Sequence, residues 1–322
     1  MRANLGSGAA GVPLLGGIEA GGTKLVCAVS TNPARGLLAR TRFSTGDDPS
    51  ALLAQVCEWF AAQERQQGPL AALGVASFGP LDLDPRSPTY GFITTTPKRG
   101  WAQCDVLGPL RRAFPGRPIG FDTDVNGAAL GEGRFGAARG LEDFLYITVG
   151  TGIGGGGLAR GSLLHGLVHP EMGHIAMPRL DGDSFEGACP FHGRCWEGLC
   201  SGPAIARRVG APAESLAADH PEWERVARYM GFALGTLTCV VSPRRIVLGG
   251  SVRRAGQLGE TEFFRRMRAE LARALGGYIE SPALRDRGLD GFLVPPELGD
   301  DAGVLGALAL AQDALLQSAP PR

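Results

Sequence analysis

The chain lacks net charge: its 322 residues set 32 Lys and Arg against 32 Asp and Glu. A balanced surface lays down no broad electrostatic footprint, which argues against nucleic acid and anionic membranes as partners. No apolar run approaches the ~20 residues of a membrane-spanning helix. The N-terminal stretch MRANLGSGAAGVPLLGG has one Arg and a short apolar segment broken by glycine, so no secretory signal is expected. A disulfide framework is lacking as well. Seven cysteines, odd in number and widely scattered, in a chain large enough to build its own core, point to a reducing, cytoplasmic location. Cys27, Cys57, Cys104 and Cys239 sit in apolar or mixed surroundings and read as small buried hydrophobes.

At 33.6 kDa the chain is long enough for two domains. Its 44% hydrophobic and 20% charged content is that of an ordinary globular protein. The 50 glycines lie beside apolar strand-like runs, so they predict tight turns and close backbone approaches.

Short apolar strands are expected at 14–19 and 24–30, joined by the turn AGGT, with a third at 37–45. Leu52, Leu53, Val56 and Phe60 share one face of a helix over 49–67. A buried strand spans 70–81, followed by a loop through TTTPKRGW, a helix near 105–114 and a strand at 118–122. Polar cap residues open a helix at 123–136. A strand at 143–150 turns through TGIGGGG into another, 165–200 is loop, and helices follow near 202–209 and 221–242. The chain ends with a strand at 244–252, a helix at 260–276, the strand GFLVPPEL and a helix at 301–316. Helices alternating with strands make this an α/β protein. GGIEAGGTKLVCAV and LYITVGTGIGGGGLARG each present a strand, a Gly-plus-Thr turn and a strand. That repeat suggests two related halves with their turns facing across a cleft.

Glycine-rich turns let backbone amides point at an anion. GGIEAGGTK is not the Gly-Lys-Ser/Thr nucleotide loop, and GTGIGGGG is followed by a strand, unlike the dinucleotide fingerprint. Such turns also arise wherever the backbone needs positive φ. Gly21, Gly22, Thr23 and Lys24 in one turn, with Thr148, Gly150, Thr151 and Gly152 in the other, favour phosphate binding. Gly249 and Gly250 end the strand RRIVL, a position suited to a nucleotide base or ribose, or to a close helix–strand crossing.

The segment EGACPFHGRCWEG, residues 186–198, places Cys189, His192 and Cys195 three residues apart. Zinc takes four N or S ligands tetrahedrally. The fourth must come from elsewhere, and spacing leaves His165, His169, His174 and Cys200 all open.

GGIEAGGTK, FDTDVNGAALGE, YITVGTGIGGG, HPEMGH, CPFHGRCWEG, SGPAI and IVLGGSV occur in the order seen in the ROK family of sugar kinases. Over about residues 14–312 the chain resembles that family, and most of all its bacterial, zinc-containing fructokinase branch. The resemblance implies the fold of the actin, Hsp70 and hexokinase (ribonuclease H-like) superfamily, two related α/β domains with ATP and sugar in the interdomain cleft. On that fold residues 1–122 form the N-terminal domain, with the helix near 301–316 packing back on it. Residues 123–300 form the larger C-terminal domain with the zinc loop. The implied activity is ATP-dependent phosphorylation of a hexose, D-fructose to fructose 6-phosphate, with Mg2+ on the nucleotide and structural Zn2+. Mannose, glucose and N-acetylmannosamine are the alternative substrates, and a non-catalytic sugar-binding regulator is the alternative role. Family members are often dimers, but the residues themselves offer no argument for an interface.

Phosphoryl transfer needs a group to accept the sugar hydroxyl's proton, and a carboxylate in a cleft suits that task. Asp122 and Asp124 precede a helix, where a lone Asp is commonly an N-cap. The resemblance aligns Asp124 with the catalytic Asp of the Asn-Asp-x-Asn motif. Asn126 is kept, whereas Thr123 stands where many members have Asn, and Glu19 where many have Asp. In the resemblance Glu171, His174 and Glu197 match sugar-contacting positions, Gly79 and Pro80 are expected to line the same pocket, and Lys98 and Trp101 are candidates in the substrate loop. His174 also matches the family's metal-binding His, completing a closed site with Cys189, His192 and Cys195. Metal removal is then expected to harm sugar affinity and folding together, and ATP contacts less directly.

Two other classes fit less well. The family's repressors carry a helix-turn-helix segment ahead of the kinase-like part, and only about 13 residues precede the first strand here. An ATP-dependent chaperone-like role would leave the carboxylates at the sugar positions without purpose.

Overall fold

The computed structural model describes residues 12–318. Residues 1–11, part of the stretch considered for a secretory signal, lie outside it. Among the described residues no helix is long and apolar enough to cross a membrane.

Strands β1 (Leu14–Ala20) and β2 (Lys24–Ser30) form the expected hairpin, and β3 (Ala39–Ser44) adds antiparallel to β2. Helix α1 (Pro49–Gln67) opens on Asp48, whose carboxylate accepts from the Ala51 amide, and it buries Leu52, Leu53, Val56 and Phe60. Strand β4 (Leu70–Ser77), the short pair β5 (Phe92–Ile93) and β6 (Cys104–Asp105), helix α2 (Leu107–Ala113) and strand β7 (Ile119–Thr123) follow, with β7 feeding α3 (Asp124–Phe135). The chain then runs through β8 (Phe144–Val149), β9 (Ile153–Ala159) and β10 (Ser162–Leu163) into a long irregular segment. Helices α4 (Trp196–Cys200), α5 (Gly202–Val209) and α6 (Glu222–Val241) precede β11 (Ile246–Gly249). The remainder is α7 (Glu260–Leu275), α8 (Gly288–Phe292), β12 (Leu293–Val294) and α9 (Ala302–Ser318).

Both sheets share one plan. Their orders are β3-β2-β1-β4-β7 and β10-β9-β8-β11-β12, each an antiparallel hairpin continued by parallel strands. The repeat of strand, glycine turn and strand in the sequence is therefore a repeat of topology. In the first sheet Ala20, Ser77 and Thr123 lie level at the carboxyl ends of β1, β4 and β7. In the second, Thr148 lies beside Gly249 at the ends of β8 and β11. Ligands of open α/β sheets sit beyond such ends.

Several boundaries differ from expectation for local reasons. Strand β4 stops at Ser77 because the chain leaves the sheet at Phe78-Gly79-Pro80, and proline has no amide for a ladder. Strand β12 keeps only two residues, since Pro295 and Pro296 end its pairing. Helix α4 has no sequence period to announce it; the Cys195 thiol caps it by accepting from the Gly198 amide. Of the four cysteines read as buried hydrophobes only Cys27 is fully buried, Cys57 and Cys104 are partly covered, and Cys239 is exposed on α6.

Helix α9 is apolar on every side over its first ten residues, the mark of a helix buried all round. It lies across β1, β4 and β7, with Val304, Leu308 and Ala311 packed on Leu15, Val26 and Ala72, and it crosses α3. Glycine makes both approaches feasible. A Cβ on Gly74 would stand 1.9 Å from the Ala307 carbonyl oxygen, and one on Gly306 would stand 1.7 Å from that of Gly127. Gly306→Ala should therefore destabilise the protein by about 2 kcal/mol or more, the range of overpacked cores, read as a lower denaturation midpoint in urea. A wild-type midpoint would contradict the contact.

Candidate active site

Thr123, Asp122 and Asp124 stand where β7 becomes α3. The helix cap belongs to Thr123, whose hydroxyl accepts from the Asn126 amide at 3.1 Å. Neither aspartate serves as the cap, the alternative reading of a lone Asp at this place. Asp122 is buried and accepts from the Thr123 amide and from Asn126 Nδ2, both at 2.8 Å, while His165 Nε2 lies 2.9 Å from its other oxygen. That contact to Asp122 raises the His165 imidazole above its ordinary range. Asn126 is wholly buried, and its carbonyl accepts from the Gly157 amide at 3.1 Å. Its side chain is thus occupied in joining α3 to β9.

Asp124 is partly buried, with one oxygen 2.9 Å from the Val125 amide. Burial pushes its carboxyl up to about 6; the nearby charge of Glu171 acts in the same sense, and the Val125 hydrogen bond opposes it. Glu19, at the end of β1, goes further. Burial pushes it up to about 7, Lys24 pulls it back, and Asp124 adds to the rise. Its Oε2 is buried with no hydrogen-bond partner among the described residues. Two carboxyls that sense each other, one with an orphaned oxygen, form a site ready for a cation or a proton.

The other sugar-site candidates lie on the irregular segment and the β4 exit. Glu171 is exposed, with Oε1 3.5 Å from His169 Nδ1. Gly79 and Pro80 are partly buried, and a Cβ on Gly79 would meet the His169 ring at 3.3 Å. Glu197 accepts from the Ile153 amide at 2.9 Å. Trp101 is core rather than a substrate loop: it is buried, packs edge-on against Phe78 and donates to the Gly46 carbonyl. Lys98 is partly exposed in the same loop.

The two glycine turns are braced differently. In the first, Gly21 N–H donates to Lys24, and buried Thr45 donates its hydroxyl to the Gly21 carbonyl, leaving Gly22 and Thr23 exposed. In the second, Gly150 N–H donates to Gly152, the Gly150 carbonyl accepts from Gly202 at the start of α5, and Thr151 is exposed beside partly buried Thr148. Gly249 and Gly250 press against β8, where a Cβ would meet the Tyr146 hydroxyl or the Val149 carbonyl. The close neighbour is thus the paired strand of the same sheet and not a crossing helix.

Four ligand atoms, from His174, Cys189, His192 and Cys195, lie within 4.8 Å of one another. His174 Nδ1 is 3.4 Å from Cys195 Sγ and 3.8 Å from Cys189 Sγ, and His192 Nδ1 is 3.6 Å from Cys189 Sγ. The remaining candidates for fourth ligand are elsewhere: His165 faces Asp122, His169 faces Leu81, and Cys200 is buried in the core of the second domain. Residue type and spacing had left these four open, because which histidine meets the cysteines depends on how the loop folds back.

Glu19 has a measurable consequence. A carboxyl whose folded-state affinity is raised binds its proton more tightly folded than unfolded, so folding stability falls as pH rises from about 4.5 to about 7. Without nucleotide or divalent metal, Glu19→Gln should be more stable than the parent at pH 8 by on the order of 3 kcal/mol, with the gap closing toward pH 5. Denaturant titrations at the two pH values check this, and a gap independent of pH would refute it.

Residues 15–314 match the family model described as ROK family. The chain is 43% identical over 304 residues to the fructokinase of Zymomonas mobilis, covering 92% of this chain and 96% of that one. It is 39% identical over 302 residues to the fructokinase of Pediococcus pentosaceus, covering 94% and 99%. Among solved structures it is similar to the ROK hexokinase from Thermus thermophilus, at a TM-score of 0.76 and 29% identity over 95% of this chain and all of that one. Its two domains have the fold of the actin, hexokinase and Hsp70 ATPases. With the pattern matched nearly from end to end, the chain belongs to the ROK family.

Proposed function

We propose that the chain transfers the γ-phosphoryl group of ATP to the 6-hydroxyl of D-fructose. The observation that carries this reading is Asp124: a carboxyl at the carboxyl end of β7, freed from capping by Thr123 and desolvated until its proton affinity reaches about 6. Such a base is ionised near neutral pH yet basic enough to take a proton as the hydroxyl attacks. The named fructokinases among its relatives supply the choice of hexose.

Each candidate then has a role that its position supports. Asp124 accepts the proton of the sugar 6-hydroxyl, and the freed oxygen attacks the γ-phosphorus in line while ADP leaves. Glu171, His174, Glu197, Gly79 and Pro80 bound the sugar pocket, and Asn126 holds α3 and Asp122 in place behind it. The amides of Gly22 and Thr23, with Lys24, and those of Thr151 and Gly152, with Thr148, cradle phosphates, while the Gly21 and Gly150 amides brace the two turns from within. Gly249 and Gly250 border the nucleoside. Mg2+ arriving with the nucleotide neutralises phosphate charge, and the unpartnered Glu19 oxygen is suited to its water shell.

The four-residue cluster fits zinc. With Zn–S near 2.3 Å and Zn–N near 2.05 Å, tetrahedral geometry sets N and S donors about 3.6 Å apart, and the three N–S separations are 3.4, 3.6 and 3.8 Å. Two thiolates and two imidazoles fill all four positions, which leaves a structural site with no opening for substrate. His174 Nδ1 faces the cysteines, so the ring's other nitrogen is available to the sugar pocket.

Asp124→Asn should lower kcat by about 10²-fold or more while the KM values for fructose and ATP change little. The parent's kcat/KM should fall below pH ~6 as Asp124 takes up its proton. A coupled assay over fructose, mannose, glucose and N-acetylmannosamine checks both the turnover and the hexose. Near-parental turnover by the Asn variant would remove Asp124 as base. Elemental analysis should find about one zinc per chain, and its chelation should lower Tm and raise the KM for fructose. Because Glu197 holds the Ile153 amide of the second turn, the KM for ATP should rise as well. Protein that is metal-free as purified and fully active would refute the zinc assignment.

A further inference from the structure

We propose that His169 is a positioning residue of the sugar site, tying the Gly79-Pro80-Leu81 turn of the first domain to Glu171 of the second. The inference rests on the reading of Glu171 and that turn as sugar-pocket walls. His169 is buried, at 6% exposure. Its Nε2 lies 3.0 Å from the Leu81 backbone nitrogen, across 88 residues of sequence. A backbone amide can only donate, so Nε2 is the acceptor and the ring's proton is on Nδ1. The protonated Nδ1 lies 3.5 Å from Glu171 Oε1. The distance is at the long end for a hydrogen bond, as contacts around substrate sites commonly are before ligand binds.

The tautomer matters to the pocket. A doubly protonated ring would confront the Leu81 amide with a second donor, and a ring protonated on Nε2 would lose both links. With the proton on Nδ1 one imidazole accepts from one wall and holds its N–H beside the carboxylate of the other. The ring also lies where a side chain on Gly79 would go, so it shapes the turn sterically as well. His169 is outside the four-ligand cluster, so the metal has no claim on it. Glu171 is exposed and needs an anchor to hold one rotamer against solvent, which the buried ring provides.

Steady-state kinetics on His169→Gln, His169→Ala and Glu171→Gln test the assignment. Gln can replace Nε2 with an amide oxygen that accepts from Leu81, but it offers no donor at the Nδ1 position. His169→Gln should keep the parental Tm within a few degrees and raise the fructose KM on the order of tenfold, the cost of a lost buried polar link, with the ATP KM within twofold. His169→Ala, losing both links, should raise the fructose KM further and lower Tm. In a Glu171→Gln background the His169→Gln change should add less than threefold. A parental fructose KM in His169→Gln, or fructose and ATP KM values that rise together in both variants, would overturn the proposal. If instead Glu171→Gln itself leaves the fructose KM unchanged, the sugar-site reading fails, and that result is separable from failure of His169 alone.

Discussion

The closest backbone approach that matters to the site is the crossing of α9 over α3, with Gly306 set against the Gly127 carbonyl. Asp124 is the first residue of α3, so the depth at which that carboxyl sits follows from how near the two helices come. The same helix passes Glu19: a side chain on Gly303 would collide with its carboxyl. One buried helix, contributed by the last residues of the chain, thus closes over the sheet that carries one acid and seats the helix that carries the other. Small residues along α9 are the physical means, since any larger side chain at 303 or 306 would hold the layers apart.

Buried acids in this protein fall into two kinds, and the contrast separates structure from chemistry. Glu132 is wholly buried, but its oxygens accept from the Ala137, Glu297 and Leu298 amides, so it works as a clamp on the loop before α9. Asp122 likewise has donors on both sides. Glu19 is desolvated without full pairing, and Asp124 holds one backbone bond against burial and a like charge. Desolvated carboxyls of that kind cost folding free energy, which is what makes Glu19 and Asp124 candidates for chemistry where Glu132 and Asp122 are not.

The repeated hairpins, the parallel strands and α1 were legible in the sequence because glycine turns and apolar periods are local signals. Asp124 and His174 were singled out only by motif resemblance, since spacing alone treats Asp122 as equal to Asp124 and His165 or His169 as equal to His174. What local pattern could not supply was partner choice across the fold. That Thr123 caps α3, that His165 meets Asp122 and that His169 meets Leu81 are all decided by tertiary placement. The signal for His169 was present only as a histidine two residues before Glu171, which reads equally well as a ligand. Cys239 shows the reverse error: an apolar neighbourhood in sequence put it inside, while the helix period turned it outward.

From its sequence the cysteine-histidine loop is expected to bear on sugar affinity and folding, and on ATP contacts less directly. Its geometry ties it to the phosphate side as well. Cys195 caps α4, α4 carries Glu197, and Glu197 holds the Ile153 amide where the second glycine turn becomes β9. The same turn is gripped from α5 through the Gly202 amide on the Gly150 carbonyl. A cation drawing Cys195 and His174 together therefore sets the start of α4 and the pitch of the turn at once. On the proposed assignment, sugar wall and phosphate cradle share one support, so loss of that support would loosen both substrates' contacts, even though neither substrate need touch the metal.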